Sequence, residues 1–445
     1  MRETIDTNPP SAIRHPPSGG RRVLDNFVSL LIVQFANYLA PLITLPYLFR
    51  VLGLSHYGLV ELARAVTVYF LMLTDYGFSF SATREISVHR EDPQRVAEVF
   101  SAVMVLRFLM VVLSALVLSV LVFAVPRFRS DWPVYCLSFG SVLGMWLFPL
   151  WLFQGLEQMK FIPLLNVTAK LLVVAGIFTF VRAPADYLYV PLLQSAGTIL
   201  VGVAGLAVAL GKFRVRFRLP APAALLRELA NGWHIFQSKM AITLYTTSNI
   251  VILGLFTDSM FVAYYAAGDK IVRAATDGLQ IPLSQAIFPH IGRLAAQSKQ
   301  AALHFAGRVA GLLSGATLLI SAGLFLAAPQ ITGLVLGGEA AGGVPVIRIL
   351  ALLPFLIGLS NIFGIQIMVN FGLKRQLARI LTIAGVLNIV IALLLVTSLK
   401  HAGVAFASLI TEIVVTTATF VVVRKSGLDV FAADNKGVDN PEAVA

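Results

Sequence analysis

The chain has 445 residues, of which 58% are hydrophobic and only 13% charged, with a mean hydropathy of +0.83. That profile excludes a soluble globular domain, which needs a charged surface, and a disordered chain, which lacks apolar residues. A net charge of +12 would suit nucleic acid, but in so apolar a chain it is the expected mark of Lys and Arg gathered in cytoplasmic loops.

Residues 1–26 read as a polar tail rich in proline and arginine. The apolar run after it lacks a small-residue cleavage site and is expected to be a retained first helix, not a signal peptide. About 20 apolar residues cross a bilayer as a helix. On that scale spans are predicted over 27–49, 58–80, 99–125, 132–155, 161–181 and 186–210, and again over 233–256, 260–288, 306–328, 344–370, 377–399 and 402–424. The expected fold is an all-α polytopic membrane protein with about 12 transmembrane helices. Its organisation is a first six-helix bundle over 27–210, a basic linker over 211–232, a second six-helix bundle over 233–424 and a tail over 425–445. Within the linker, Pro222 to Asn231 is predicted as a short interfacial helix.

An even number of spans puts both tails on one side. The loops on that side hold most of the Lys and Arg, whereas the other side carries only Arg50, Arg127, Arg129, Arg182 and Lys400. Both termini are therefore predicted to be cytoplasmic. The outer loops are all short, so function is expected inside the membrane. The halves share a faint repeat: Gly53, Tyr57 and Glu61 correspond to Gly254, Tyr265 and Asp269, with the same four-residue step from tyrosine to acid. Repeated transporters place the substrate site between their repeats.

Ionisable side chains inside spans persist where they line a polar cavity or pair with one another. The cations at depth are Arg64, Arg107, Lys170, Lys239, Lys270, Arg273 and Arg348, and the acids are Glu61, Asp75, Asp269, Asp277 and Glu412. Spacing allows local pairs for Glu61 with Arg64, and for Arg273 with Asp269 or Asp277. A self-neutralised structural network is the alternative to a binding role for them. Lys270 has no obvious partner at helix spacing, and Lys170 has no acid in its own span. Lys239 and Arg348 lie near interfaces and are expected to snorkel. The small excess of cations suits an anionic group such as phosphate. Lys270, Arg273, Lys170, Arg64 and Arg107 are the candidate cavity cations, and Glu61, Asp75, Asp269, Asp277 and Glu412 the cavity acids. Asp75 and Glu412 are also candidates to carry a coupling proton. Pro41, Pro46, Pro149 and Pro354 are expected to kink their spans.

No HExxH, CxxC, P-loop or GxSxG pattern is present, and the single cysteine, Cys136, lies in an apolar span. No metal, cofactor or enzymatic activity is expected.

Four strings carry more than composition: LPYLFRVLG (Leu45 to Gly53), DYGFSFSATREIS (Asp75 to Ser87), WLFQGLEQM (Trp151 to Met159) and PLSQAIFPHI (Pro282 to Ile291). With them, residues 27 to 424 resemble bacterial polysaccharide flippases of the Wzx type, within the multidrug/oligosaccharidyl-lipid/polysaccharide exporter superfamily. The resemblance implies two six-helix bundles around a central cavity. It also implies transfer of an undecaprenyl-pyrophosphate-linked oligosaccharide from the cytoplasmic to the periplasmic leaflet of the bacterial inner membrane, for O-antigen, capsule or exopolysaccharide assembly. Polysaccharide polymerase or assembly proteins are implied partners, and nucleic acid is not. Arg50, Asp75, Tyr76, Gly77, Arg84, Gln154, Gly155, Glu157 and Pro289 match the family pattern. Arg50, Arg84, Gln154 and Pro289 are read as gate or turn elements, with Arg84 and Glu85 opening the loop after the second span as a charged latch.

Two other readings compete. A cation-coupled drug exporter of the same superfamily should carry an acid excess in its spans, opposite to this chain. A membrane glycan polymerase or ligase should present a sizeable periplasmic loop, and none is present.

Overall fold

The computed structural model describes residues 19–158, 161–213 and 215–428, so the two terminal tails lie outside the described residues for most of their length. These residues are almost entirely helical, and no strand occurs among them. Eight helices are long and apolar enough to cross a membrane, or nine when the pair Pro222–Leu244 and Thr246–Phe256, bent by 50°, is taken as one span.

The first helix, α1 (Gly19–Asp75), runs 57 residues without a loop. Its continuity is broken at Gly53, where φ is +71°, a conformation that only glycine adopts without a steric penalty. The residues predicted as spans 1 and 2 are therefore two helical segments that meet at a break at Gly53, within the stretch 50–57 that separates the predicted spans. A short helix α2 (Phe78–Val88) follows. Arg84 and Glu85 thus lie on a helix and not in a loop, because Phe78, Ala82 and Ile86 form a buried stripe at helical spacing that draws the segment onto the bundle. Next comes α3 (Pro93–Ala124). Its start is fixed by Pro93 at the first turn and by Asp92, whose side chain accepts from the backbone N–H of Gln94 and Arg95, as expected of a helix cap.

The remaining helices of this half are α4 (Pro126–Arg129), α5 (Trp132–Leu147), α6 (Leu150–Gly155), α7 (Phe161–Phe180) and α8 (Tyr189–Gly211). Pro149, in the predicted fourth span, breaks that span between α5 and α6. The predicted interfacial helix at Pro222 does not stop at Asn231: α9 (Pro222–Phe256) carries straight on into the next apolar run. It leads to α10 (Ser259–Gln297), α11 (Lys299–Leu326), α12 (Ala328–Leu336), α13 (Ala340–Leu350), α14 (Leu353–Asn361) and a π-helical stretch, Ile362–Val369. The chain closes with α15 (Lys374–Lys425), 52 residues broken at Lys400 with φ +51°. The break at Pro354 leaves its polar backbone satisfied by neighbours: Gln280 Nε2 donates to the Pro354 carbonyl at 3.0 Å, and the Phe355 N–H donates to Ser321 Oγ at 3.3 Å. In lipid such compensation is obligatory.

The largest core cluster spans both halves, from Leu45, Tyr57 and Leu62 on α1 to Val262, Tyr265 and Leu350 in the second half. The closest approach is at Gly58: a Cβ there would lie 1.7 Å from the Ser259 carbonyl oxygen. Only a residue without a side chain lets α1 seat against the start of α10.

Candidate functional site

The α1 helix places Tyr57, Glu61, Arg64 and Leu71 on the wall of a cavity of about 650 Å³. α3 contributes Arg107, α5 Ser141 and Met145, α7 Asn166 and Lys170, and α8 Gln194 and Thr198. Among the described residues, one wall residue, Lys270 on α10, comes from the second half, and the rest of the described wall comes from the first six predicted spans.

Among the described residues, four cations, Arg64, Arg107, Lys170 and Lys270, face this cavity with one acid, Glu61. Glu61 is 2% exposed. Arg64 Nε donates to its Oε2 at 2.8 Å, the local pair that the spacing suggested. Lys270 Nζ donates to its Oε1 and to Tyr57 Oη at 2.8 Å, so Lys270 finds across the halves the partner that its own helix lacks. Arg107 is 2% exposed and donates to the Phe148 carbonyl at 3.2 Å, while its Nε has no hydrogen-bond partner among the described residues.

A second polar tier lies 14 residues along α1, at about 1.5 Å per residue some 21 Å away. There Asp75, 3% exposed, accepts from Lys239 Nζ of α9 and from Ser79 Oγ. Lys239 therefore does not snorkel; it is held by a buried carboxylate of the other half and sits over the Phe80 ring at 5.0 Å.

The other candidates lie apart from the cavity. Arg273 turns onto Asp269, with Nε 2.8 Å and 2.9 Å from the two carboxylate oxygens, and neither residue is on the wall. Asp277 lies two turns further along α10. Glu412 is buried in the second half, where its Oε1 accepts from Ser360 Oγ at 2.7 Å. Arg348 lies over the Phe325 ring at 5.6 Å. Arg50 Nη2 donates to the Leu334 carbonyl of α12 at 3.3 Å. Gln154 Oε1 accepts from Thr83 Oγ1 at 3.3 Å, and Pro289 lies inside α10. Arg84 is exposed, and the charges around it pair within the first half: Arg95 with Glu85 at 2.6 Å and Arg90 with Glu157 at 3.0 Å. Among the described residues, the ion pairs that join the halves are those of Glu61 with Lys270 and of Asp75 with Lys239. The uncharged polar wall (Ser141, Asn166, Gln194, Thr198) was not singled out from sequence, because single polar residues within apolar spans carry no periodic signal. No cluster able to hold a metal ion occurs among the described residues.

A multi-span helical membrane protein of this shape is known. The structure is similar to a multidrug resistance MATE family transporter of the MOP superfamily in an inward-facing conformation, with a TM-score of 0.68, 15% identity and 92% of this chain and 99% of that one covered. It is also similar to the lipid II flippase MurJ in an inward closed conformation, with a TM-score of 0.67, 12% identity and coverage of 90% and 87%. These likenesses show a shared multi-span helical fold. Residues 23–295 match the profile of the family described as "Polysaccharide biosynthesis protein", and the chain belongs to that family, as the four strings implied. Its relatives include a "Putative O-antigen transporter" of Escherichia coli (strain K12), 31% identical over 406 residues, covering 91% of this chain and 97% of the relative. A protein of the same description from Shigella dysenteriae is 29% identical over 394 residues, covering 88% and 97%. Both relatives thus carry the description "Putative O-antigen transporter".

Proposed function

We propose that this protein is a flippase that moves an undecaprenyl-pyrophosphate-linked oligosaccharide from the cytoplasmic to the periplasmic leaflet of the bacterial inner membrane, for O-antigen or related polysaccharide assembly. The observation that carries this reading is the cavity wall, which among the described residues holds four cations to one acid around about 650 Å³. A pyrophosphate diester is doubly negative, and Arg and Lys serve it as bidentate and point-charge partners. The polar side chains of α5, α7 and α8 offer hydrogen bonds to sugar hydroxyls, while the polyprenyl chain remains in lipid. The similarity to O-antigen transporters over nine-tenths of the chain supports the same substrate class.

The membrane arrangement that goes with it is twelve crossings in two halves, obtained when α1 is divided at Gly53 and α15 at Lys400, with both termini cytoplasmic. Alternating access follows from rocking of the halves about the linker.

The test is the leaflet sidedness of the lipid-linked oligosaccharide in cells lacking the protein, complemented by variants. Cytoplasmic accumulation should be relieved by the wild type and by Arg273→Gln, whose charge lies off the cavity wall. It should persist with the Lys170→Gln/Lys270→Gln pair. Normal externalisation in cells lacking the protein would remove the function altogether.

A further inference from the structure

The cavity holds one anion of its own, and its position is the notable point. Glu61 is 2% exposed and is gripped by two of the four wall cations, Arg64 at 2.8 Å and Lys270. Tyr57 Oη, itself buried, accepts from the same lysine at 2.8 Å. A carboxylate seated between a guanidinium and an ammonium occupies the place that a phosphate oxygen would take, since both groups present oxygens to the same donors. Lys170 and Arg107 face the same chamber.

We propose that Glu61 is the built-in counter-anion of the chamber: it neutralises Arg64 and Lys270 until a phosphate-bearing headgroup displaces it from them. This rests on the reading of the chamber as a diphosphate site. Glu61 belongs to the first half and Lys270 to the second, so displacement exchanges a contact between the halves for a contact with the ligand. Arrival of the substrate is thereby linked to release of one of the charged ties between the halves. Only an anion that outbids a carboxylate achieves this, which makes Glu61 a determinant of specificity for diphosphate over singly charged headgroups.

The experiment is binding of farnesyl pyrophosphate and of inorganic pyrophosphate to the purified full chain in lipid nanodiscs, with neutral farnesol as control. Glu61→Gln removes the competitor and keeps the shape, so it should bind farnesyl pyrophosphate about tenfold tighter than the wild type. Lys270→Gln should bind more weakly than the wild type, and Glu61→Gln/Lys270→Gln should return towards wild-type affinity. A merely structural role for Glu61 would weaken binding or leave it unchanged in Glu61→Gln, and either result overturns the proposal. Tightening for both pyrophosphates locates recognition in the phosphate groups alone, whereas tightening for the prenyl ligand only assigns it to the lipid-linked form; both support the displacement. Should neither the wild type nor Glu61→Gln bind either pyrophosphate, the counter-anion role falls, while the sidedness of the glycan in cells stands or falls separately.

Discussion

Two buried acids on α1 each hold a lysine of the other half, and this arrangement sets the cost of changing one partner alone. Asp75 is 3% exposed, so Lys239→Met strands its charge in a site with little solvent and should destabilise the protein by about 3 kcal/mol. Asp75→Asn/Lys239→Met should recover most of that loss, read as the thermal unfolding midpoint of the purified protein; a double variant no more stable than the single one would mean that the two charges are not coupled. Glu157 offers a smaller effect of opposite sign. Its φ of +57° costs about 1 kcal/mol in a residue with a Cβ, whereas its exposed pair with Arg90 contributes about 0.5 kcal/mol or less. Glu157→Gly should therefore raise the unfolding midpoint slightly. The pairs of Glu61 with Arg64 and of Asp269 with Arg273 were legible in the sequence, because three- and four-residue spacings on a helix bring side chains together whatever the tertiary fold. The pairs with Lys270 and Lys239 join residues 209 and 164 positions apart, and no local rule reaches that far. Lys239 in particular resembled a snorkelling residue for want of any sign that Asp75 would face it.

Among the helices, the positions of apolar runs were legible and their breaks only partly so. Gly53 and Lys400 both lie between predicted spans, although Lys400 adopts its positive φ without being a glycine. α10 carries Asp269, Lys270, Arg273 and Asp277, and it is absent from the eight helices that are apolar enough to cross a membrane on composition alone. The same charges that mark it as functional hide it from a hydropathy criterion. The seam between α1 and α10 depends on Gly58, and a methyl group there would overlap the Ser259 carbonyl. Gly58→Ala should cost about 1–3 kcal/mol through forced separation of the two helices. Gly311→Ala on α11, where a Cβ meets nothing within 4 Å, should be neutral or stabilising. Equal unfolding midpoints for the two variants would show that the seam tolerates a gap.

Taken as one molecule, the chain draws the described wall of its polar chamber chiefly from one half. Tyr57 with Glu61 and Tyr265 with Asp269 share a four-residue spacing but differ in surroundings. Glu61 faces the chamber, while Asp269 holds Arg273 away from it, and Tyr265 Oη lies 3.0 Å from Ser408 Oγ. Reporter fusions test the overall arrangement: a fluorescent protein joined after Ala445 should fold and emit, as it does only on the cytoplasmic side, and alkaline phosphatase inserted at Arg129 should be active, as it is only outside. The reverse pattern would invert the topology. Among the described residues, every wall residue but Lys270 precedes position 202, which bears on descent. A crossover between two related genes in the stretch encoding 211–221 would carry that part of the wall over nearly intact, with the counterpart of Lys270 supplied by the recipient half.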